Sequence, residues 1–314
     1  MALLFLRRLR DLLIVLLIVG TVMFFIIRLI PGDAALALLG NDATPEQIQD
    51  LRASLGLAGP IHEQYLLWLG RVLRADLGNS ITLHAPVWQL ILEHSVPTLA
   101  LAIICTVLAF GIAVAITCWN AVRPGNPVAR LLYRSTSLAI AIPEFWIALV
   151  LIYVFGVVLG WLPTGGYVNP FTDPIGALPY YVLPAASIVL GLSAMYVLIL
   201  RESVLREMTR LYLRTARSKG LGELAVVFAH VLRNAMLPCL TVMGTSFARM
   251  IGGVVLIEAI FVIPGLGSLL LEAIGSRDYP LVQGVTIFIA FLFVAVNMLV
   301  DLLYVWLDPK LRVS

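Results

Sequence analysis

The chain has 314 residues, 61% of them hydrophobic and only 12% charged, where a soluble domain carries about a quarter charged residues. Its apolar residues fall in blocks that approach or exceed the roughly 20 needed to cross a bilayer as a helix, which excludes a soluble enzyme built around one oversized core. A net charge of +3 gives nucleic-acid binding nothing to rest on, and three cysteines cannot all pair within the chain, so no disulfide framework is implied.

The first apolar block, residues 12–30, follows Arg7, Arg8, Arg10 and Asp11. It is longer than the apolar stretch of a secretory signal and further spans follow it, so it reads as a retained helix. Spans are predicted next at 98–117, 132–159, 182–200, 235–257 and 282–306. The sum is an all-α polytopic membrane protein, one transmembrane domain over 1–314 with six transmembrane helices.

The basic residues between these blocks are sorted by side. Arg7, Arg8 and Arg10 precede the first span, Arg123, Arg130 and Arg134 separate the second from the third, and Lys310 and Arg312 follow the sixth. Arg201, Arg206, Arg210, Arg214, Arg217, Lys219 and Arg233 flank or fill the link between the fourth and fifth. The opposite side holds only Arg28, Arg52, Arg71, Arg74 and Arg277, with Arg249 inside a span. An excess of Lys and Arg marks the cytoplasmic face, so both termini are expected in the cytoplasm of a multi-pass inner-membrane protein.

Residues 31–97 then form a large external insertion. Within it, 45–55 reads as a short helix with Thr44 as N-cap and Gln47 as its capping-box partner, and 61–73 as a second amphipathic helix. Tyr65, Trp68 and Trp88 are placed to anchor these helices in the outer membrane interface; the rival role is a cap over a pore entrance.

In the third span, Pro143 lacks an amide donor and clashes with the preceding turn, and in the fifth Gly252 and Gly253 permit close approach or sliding of helices. These are candidate hinges, or alternatively packing devices. Glu144 and Arg249 are ionisable residues about halfway along apolar segments, where a charge normally faces protein or water. One reading pairs them to orient helices; the other places them beside a translocation path.

Chemistry is sparse. The lysines, Lys219 and Lys310, are followed by Gly220 and Leu311, so no lysine precedes Ser or Thr as a phosphate-binding loop requires. His62, His84, His94 and His230 are scattered; His62 beside Glu63 and Glu93 beside His94 read as polar contacts, and no metal site is expected. No catalytic residue is expected either.

The most informative stretch, 212–238, has helical periodicity on both sides of a glycine break and lies in a basic cytoplasmic region, 203–234. Arg214, Arg217 and Lys219 stand beside Ala216, whose small side chain permits close approach of a partner backbone. Gly220 and Gly222 relieve the bend, and Leu224, Val227, Phe228, Val231 and Leu232 form one apolar stripe. Charge and periodicity alone leave two readings open, a helix lying on lipid headgroups or a docking element for a soluble partner.

Here the run Thr215-Ala216-Arg217-Ser218-Lys219-Gly220, followed by Arg233-Asn234-Ala235 and Leu237-Pro238, resembles the coupling loop of binding-protein-dependent ABC importer permeases. Pro31-Gly32-Asp33, Ser54-Leu55-Gly56-Leu57, Asp76-Leu77-Gly78-Asn79-Ser80, Gly160-Trp161-Leu162-Pro163, Pro264-Gly265-Leu266-Gly267 and Arg277-Asp278-Tyr279-Pro280 extend the resemblance over the whole chain, to the dipeptide, oligopeptide and nickel permeases. The resemblance implies import driven by ATP, with this chain forming half of the path beside a second homologous permease. Its implied partners are two cytoplasmic ATPase subunits, which bind ATP and Mg, and an external solute-binding protein. Thr215, Ala216, Arg217, Ser218, Lys219, Gly220, Asn234 and Pro238 are the implied ATPase-coupling residues. The expected cargo is di- or oligopeptides, with nickel or a nickel chelate as the alternative; Arg249 would then attract a peptide carboxylate, and Glu144 would balance it or meet a peptide amine. An ion-coupled secondary carrier is the rival from another class, and it has no use for a coupling loop.

Overall fold

The computed structural model describes residues 2–29, 44–54 and 59–307, and among them every regular element is a helix. In chain order these are α1 (Ala2–Leu29), α2 (Pro45–Ser54), α3 (Ile61–Val72), α4 (Val87–Val122), α5 (Pro127–Ala141) and α6 (Glu144–Val158). They continue as α7 (Pro174–Met208), α8 (Leu211–Ser218), α9 (Glu223–Gly253), α10 (Val255–Ile260), α11 (Leu266–Gly275) and α12 (Tyr279–Leu307). Residues 31–33 and 55–57 of the quoted motifs, and the basic Lys310 and Arg312, lie outside the described residues.

By length and composition, α1, α4, α7, α9 and α12 suffice to cross a bilayer, and α5 with α6 makes a sixth span if that bent pair counts as one. The pair meets at 103°, so the third predicted span, 132–159, is not one straight helix. Ile142 and Pro143 are both extended there, with ψ of 126° and 136°. The ring of Pro143 drives the preceding residue out of the helical region, and its nitrogen has no proton to continue the ladder. Glu144 sits at the break of this bent pair and opens α6, where a helix N-terminus favours a carboxylate.

The chain divides into two compact units. The first comprises 97–264 and the residues from 293 onward. Its most enclosed helix is α7, with 61% of its most apolar window buried. Asp173 starts α7 by accepting the Gly176 N–H at 2.9 Å, with Pro174 at the position where a missing donor does no harm. Leu183, Ile188, Tyr196 and Leu200 of α7 are fully enclosed among α5, α6 and α9. Gly244 of α9 lies so close to Val300 of α12 that any side chain there would overlap it. Glu258 of α10, 1% exposed, accepts the hydroxyl proton of Thr98 at 2.6 Å.

The second unit comprises 2–96 and 265–292. Thr44 and Gln47 form the predicted capping box on α2, Thr44 N–H donating to Gln47 Oε1 at 3.0 Å and Gln47 N–H to Thr44 Oγ1 at 3.3 Å. On α3 the aromatic residues behave otherwise than predicted. Trp68 is buried and rests on Gly20 of α1, Tyr65 hydroxyl meets Thr21 Oγ1 at 2.9 Å, and both rings pack on Phe24 with centroids 5.3 Å away. They fasten α3 to α1 instead of standing in headgroups, and Trp88 alone of the three remains half exposed. The turn between α3 and α4 is held by Asp278, which is wholly buried. Its Oδ2 accepts from Ser80 Oγ at 2.6 Å, Ile81 N at 2.8 Å, Thr82 N at 3.0 Å and Thr82 Oγ1 at 2.9 Å, while Oδ1 caps α12 through Leu281 N at 3.1 Å.

Candidate functional site

The region expected from the resemblance to couple to a partner folds as two helices joined by a tight glycine loop. Helix α8 is amphipathic: Leu213 and Ala216 are buried, while Leu211, Arg214, Thr215 and Ser218 are exposed. Ala216 thus faces the chain's own core, alongside Val226 and Val227, and does not offer its small side chain to a partner. The helix ends where Gly220 adopts φ of +81°, its N–H donating to Arg217 O at 2.9 Å. A left-handed residue after a helix is where glycine is preferred. No atom crowds the position, so the requirement is conformational and not steric. Gly222 differs: at φ of −67° it precedes α9 in a geometry that any residue adopts.

Two polar ties cross the loop. Arg217 makes a two-pronged ion pair with Glu223 at the start of α9, Nε to Oε1 at 2.8 Å and Nη2 to Oε2 at 3.2 Å. Glu223 holds the Arg217 guanidinium above its ordinary value, chiefly by that hydrogen bonding. The Tyr212 hydroxyl accepts from Asn234 Nδ2 at 3.2 Å and lies 3.1 Å from Glu207 Oε2. Partial burial is the main cause that raises its phenol above the usual value. Asn234 therefore joins α8 to α9 within this chain. Lys219 and Ser218 point outward, and Pro238 is an exposed residue inside α9 whose missing proton leaves the Asn234 carbonyl without its helical donor.

The predicted apolar stripe is redistributed. Residues 226–231 wind as a π-helix, and the buried side chains are Val226 with Val231 and Val227 with Leu232, each pair five residues apart. Leu224 and Phe228 are left 62% and 51% exposed, where with Trp119, Val122 and Arg123 they line a cavity of about 310 Å³. Helical spacing of 3.6 residues had no means of showing the extra residue.

Glu144 and Arg249 both lie in the first unit and make no salt bridge with each other. Arg249, on α9, is exposed and donates through Nη2 to Ser246 Oγ at 3.1 Å. Helix α9 stops at Gly253, where an added Cβ would meet no atom of this chain within 4 Å. Among the described residues no cluster of three or more His, Cys, Asp or Glu is placed to hold a metal ion.

Two family descriptions between them cover nearly the whole chain. Residues 107–313 match the binding-protein-dependent transport system inner membrane component, and residues 1–102 match the N-terminal part of such membrane components. The chain belongs to this family. It is accordingly a multi-pass inner-membrane permease subunit, not a catalytic one. A putative peptide transport system permease protein of Brucella abortus (strain 2308) is 39% identical over 313 residues, 99% of each chain. A probable peptide ABC transporter permease protein of Sinorhizobium fredii is 38% identical over 307 residues, 98% of each. The glutathione transport system permease protein GsiC of Salmonella paratyphi A is 35% identical over 309 residues, again 98% of each.

Proposed function

We propose that the chain forms half of the path of an ATP-driven importer of di- or oligopeptides, paired with a second homologous permease. Of two cytoplasmic ATPase subunits, holding ATP and Mg, one docks on the α8–α9 loop, and an external binding protein delivers the peptide. The observation that carries the reading is similarity along nearly the whole chain to permeases named for peptides and for glutathione. Those names give nickel no support.

Helix α9 supplies the mechanical link. It runs 31 residues from Glu223 at the loop to Gly253, which at 1.5 Å per residue is about 46 Å, enough to cross the membrane. A push on the α8–α9 loop by an ATPase subunit therefore reaches the Gly252–Gly253 end along one element, while the bend at Pro143 gives α6 room to reorient. Arg249 lies one turn before that end and offers a planar pair of donors suited to a peptide carboxylate.

Uptake of a labelled dipeptide by cells expressing the assembled system is the test. It is expected to depend on this chain, and the chain alone in liposomes is expected neither to hydrolyse ATP nor to accumulate peptide. Accumulation by the lone chain would favour an ion-coupled carrier, and nickel uptake without peptide uptake would change the cargo. For Arg249→Gln the preference for free over amidated peptide C-termini is expected to vanish at normal protein abundance. Equal loss for both peptides, rescued by Glu144→Gln, would instead mean that the two charges are structural. Orientation is read with Asn79→Cys, exposed in the turn before α4, since the native Cys105, Cys118 and Cys239 are buried. It is expected to react with a membrane-impermeant reagent from outside; labelling only after rupture would invert the topology.

A further inference from the structure

At the end of α1 remote from Arg7, Arg8 and Arg10, the second unit encloses a cavity of about 490 Å³, within the usual size range of small-molecule sites. Arg28, Trp68, Arg71, Asp76, Tyr279 and Gln283 are among its walls. Arg28 is half-buried and fixed: its Nε donates to Gln64 Oε1 at 3.0 Å, its Nη1 donates to Phe24 O at 3.0 Å, and its guanidinium lies 3.5 Å over the Phe24 ring. A guanidinium has five N–H donors, so the rest remain for a ligand. Arg71 is exposed, and its side chain has no hydrogen-bond or salt-bridge partner among the described residues. Gln283 is 7% exposed and its buried Nε2 makes no hydrogen bond, an expensive omission for an interior donor. Asp76 is the one acidic residue of the lining, and its Oδ1 is occupied by the Gly78 N–H at 2.9 Å. Two guanidiniums and an unmet amide donor thus stand against one carboxylate.

Around this cavity the surface is apolar. Phe25, Ile26 and Leu29 of α1 are 42%, 47% and 80% exposed, and Leu66 and Leu67 of α3 are 64% and 67% exposed. A charged pocket beside apolar flanks, at the end of a helix long and apolar enough to span a bilayer, is the arrangement in which basic pockets take lipid headgroups. We propose that this cavity binds a phosphate oxyanion, supplied by a phospholipid headgroup, with Arg28, Arg71 and Gln283 donating to its oxygens. Guanidinium forks suit phosphate oxygens geometrically as well as by charge. The inference requires that the chain be embedded in a membrane; it does not depend on the cargo or on which leaflet the cavity faces.

The test is native mass spectrometry of the full-length chain, purified with whatever companion subunits it retains and titrated with phosphatidylglycerol. Wild type is expected to keep one lipid that Arg71→Gln and Gln283→Leu each bind roughly tenfold to a hundredfold more weakly, with unchanged melting temperatures showing that both variants remain folded. Arg71→Lys, which keeps the charge but not the fork, is expected to fall between. Diacylglycerol, lacking phosphate, is expected not to compete. Displacement of the lipid by inorganic phosphate would identify the oxyanion alone as sufficient; failure to displace it, with the variants still weak, would identify the headgroup as the source. Equal retention by wild type and both variants would overturn the proposal, as would diacylglycerol competing as well as phosphatidylglycerol or a free peptide carboxylate displacing the lipid where phosphate does not.

Discussion

The turn at residues 80–82 and the loop at 219–222 are each tied to a helix by a carboxylate, and the two ties are of opposite kinds. Asp278 is wholly buried and accepts five hydrogen bonds, four from the turn and one from its own helix α12. Glu223 is 49% exposed and accepts from one arginine that is itself 37% exposed. A buried carboxylate that accepts five hydrogen bonds cannot change partners without leaving several donors unmet, whereas an exposed pair is weak and screened by solvent. The first kind fixes a surface. The second closes a loop and still lets its arginine be taken by something else, which is what a docking element for a moving partner requires.

Breaking the buried tie is expected to have the largest effect. Asp278→Ala strands the donors of Ser80, Ile81, Thr82 and Leu281 and should cost about 3 kcal/mol or more of stability, read as a lowered melting temperature in detergent and low abundance in the membrane. Asp278→Asn keeps one acceptor and is expected to lose roughly half as much. A variant Asp278→Ala with normal melting would mean that this turn does not depend on its anchor.

Next comes the glycine loop, where the two glycines are expected to part company. Gly220→Val places a β-branched residue at φ of +81° and should cost about 1–2 kcal/mol locally, enough to distort the loop and leave ATP turnover without peptide uptake. Gly222→Ala, at an ordinary φ and with open space for a Cβ, is expected to behave as wild type. Equal uncoupling by both would show that flexibility of the pair, and not the backbone angle at Gly220, is what matters.

That contrast also marks how far the sequence can be read. The apolar blocks, the capping box at Thr44, the break at Pro143 and the bend at Gly220 were legible, because each depends on a property of one or two neighbouring residues. Direction was not. Hydropathy places Tyr65 and Trp68 near an interface but cannot say that their rings turn inward to Phe24. Periodicity assigns Leu224 and Phe228 to a buried stripe, and one extra residue in the π-helical turn rotates them out again. The bond from Asp278 to Ser80 spans 198 residues, and no local pattern announces it. At the loop between α8 and α9 the sequence did not show that Arg217 and Asn234 already have partners inside the chain.

A smaller effect is expected at Tyr212, whose hydroxyl joins Asn234 of α9 to Glu207 of α7. Tyr212→Phe should cost about 1 kcal/mol, seen as a modest fall in melting temperature and partial uncoupling. Because burial chiefly raises this phenol, its contribution is fully present below the ordinary tyrosine value near 10 and is lost only as pH climbs through the still higher folded value. The difference between wild type and Tyr212→Phe is therefore expected to be constant across physiological pH. A difference that grows between pH 6 and 8 would point to another group.

The smallest effect on stability, and the sharpest on function, is expected at the exposed pair. Arg217→Gln removes a solvent-screened tie and should change the melting temperature little, since such pairs contribute about 0–1 kcal/mol. Arg217→Glu places two carboxylates across the loop from each other and so perturbs the fold locally besides reversing the charge offered to an ATPase subunit; alone it does not separate the two roles. The charge swap Arg217→Glu with Glu223→Arg does. It restores an ion pair of the same two groups across the same loop, so the melting temperature is expected to return to the wild-type value. If Arg217 is the residue that an ATPase subunit takes, association measured by co-purification should stay low in the swap, because the positive charge now stands on α9 and not at the end of α8. Recovery of both melting and association would show that Arg217 acts only by closing the loop, and docking would then rest on the exposed residues beside it, Lys219 and Ser218.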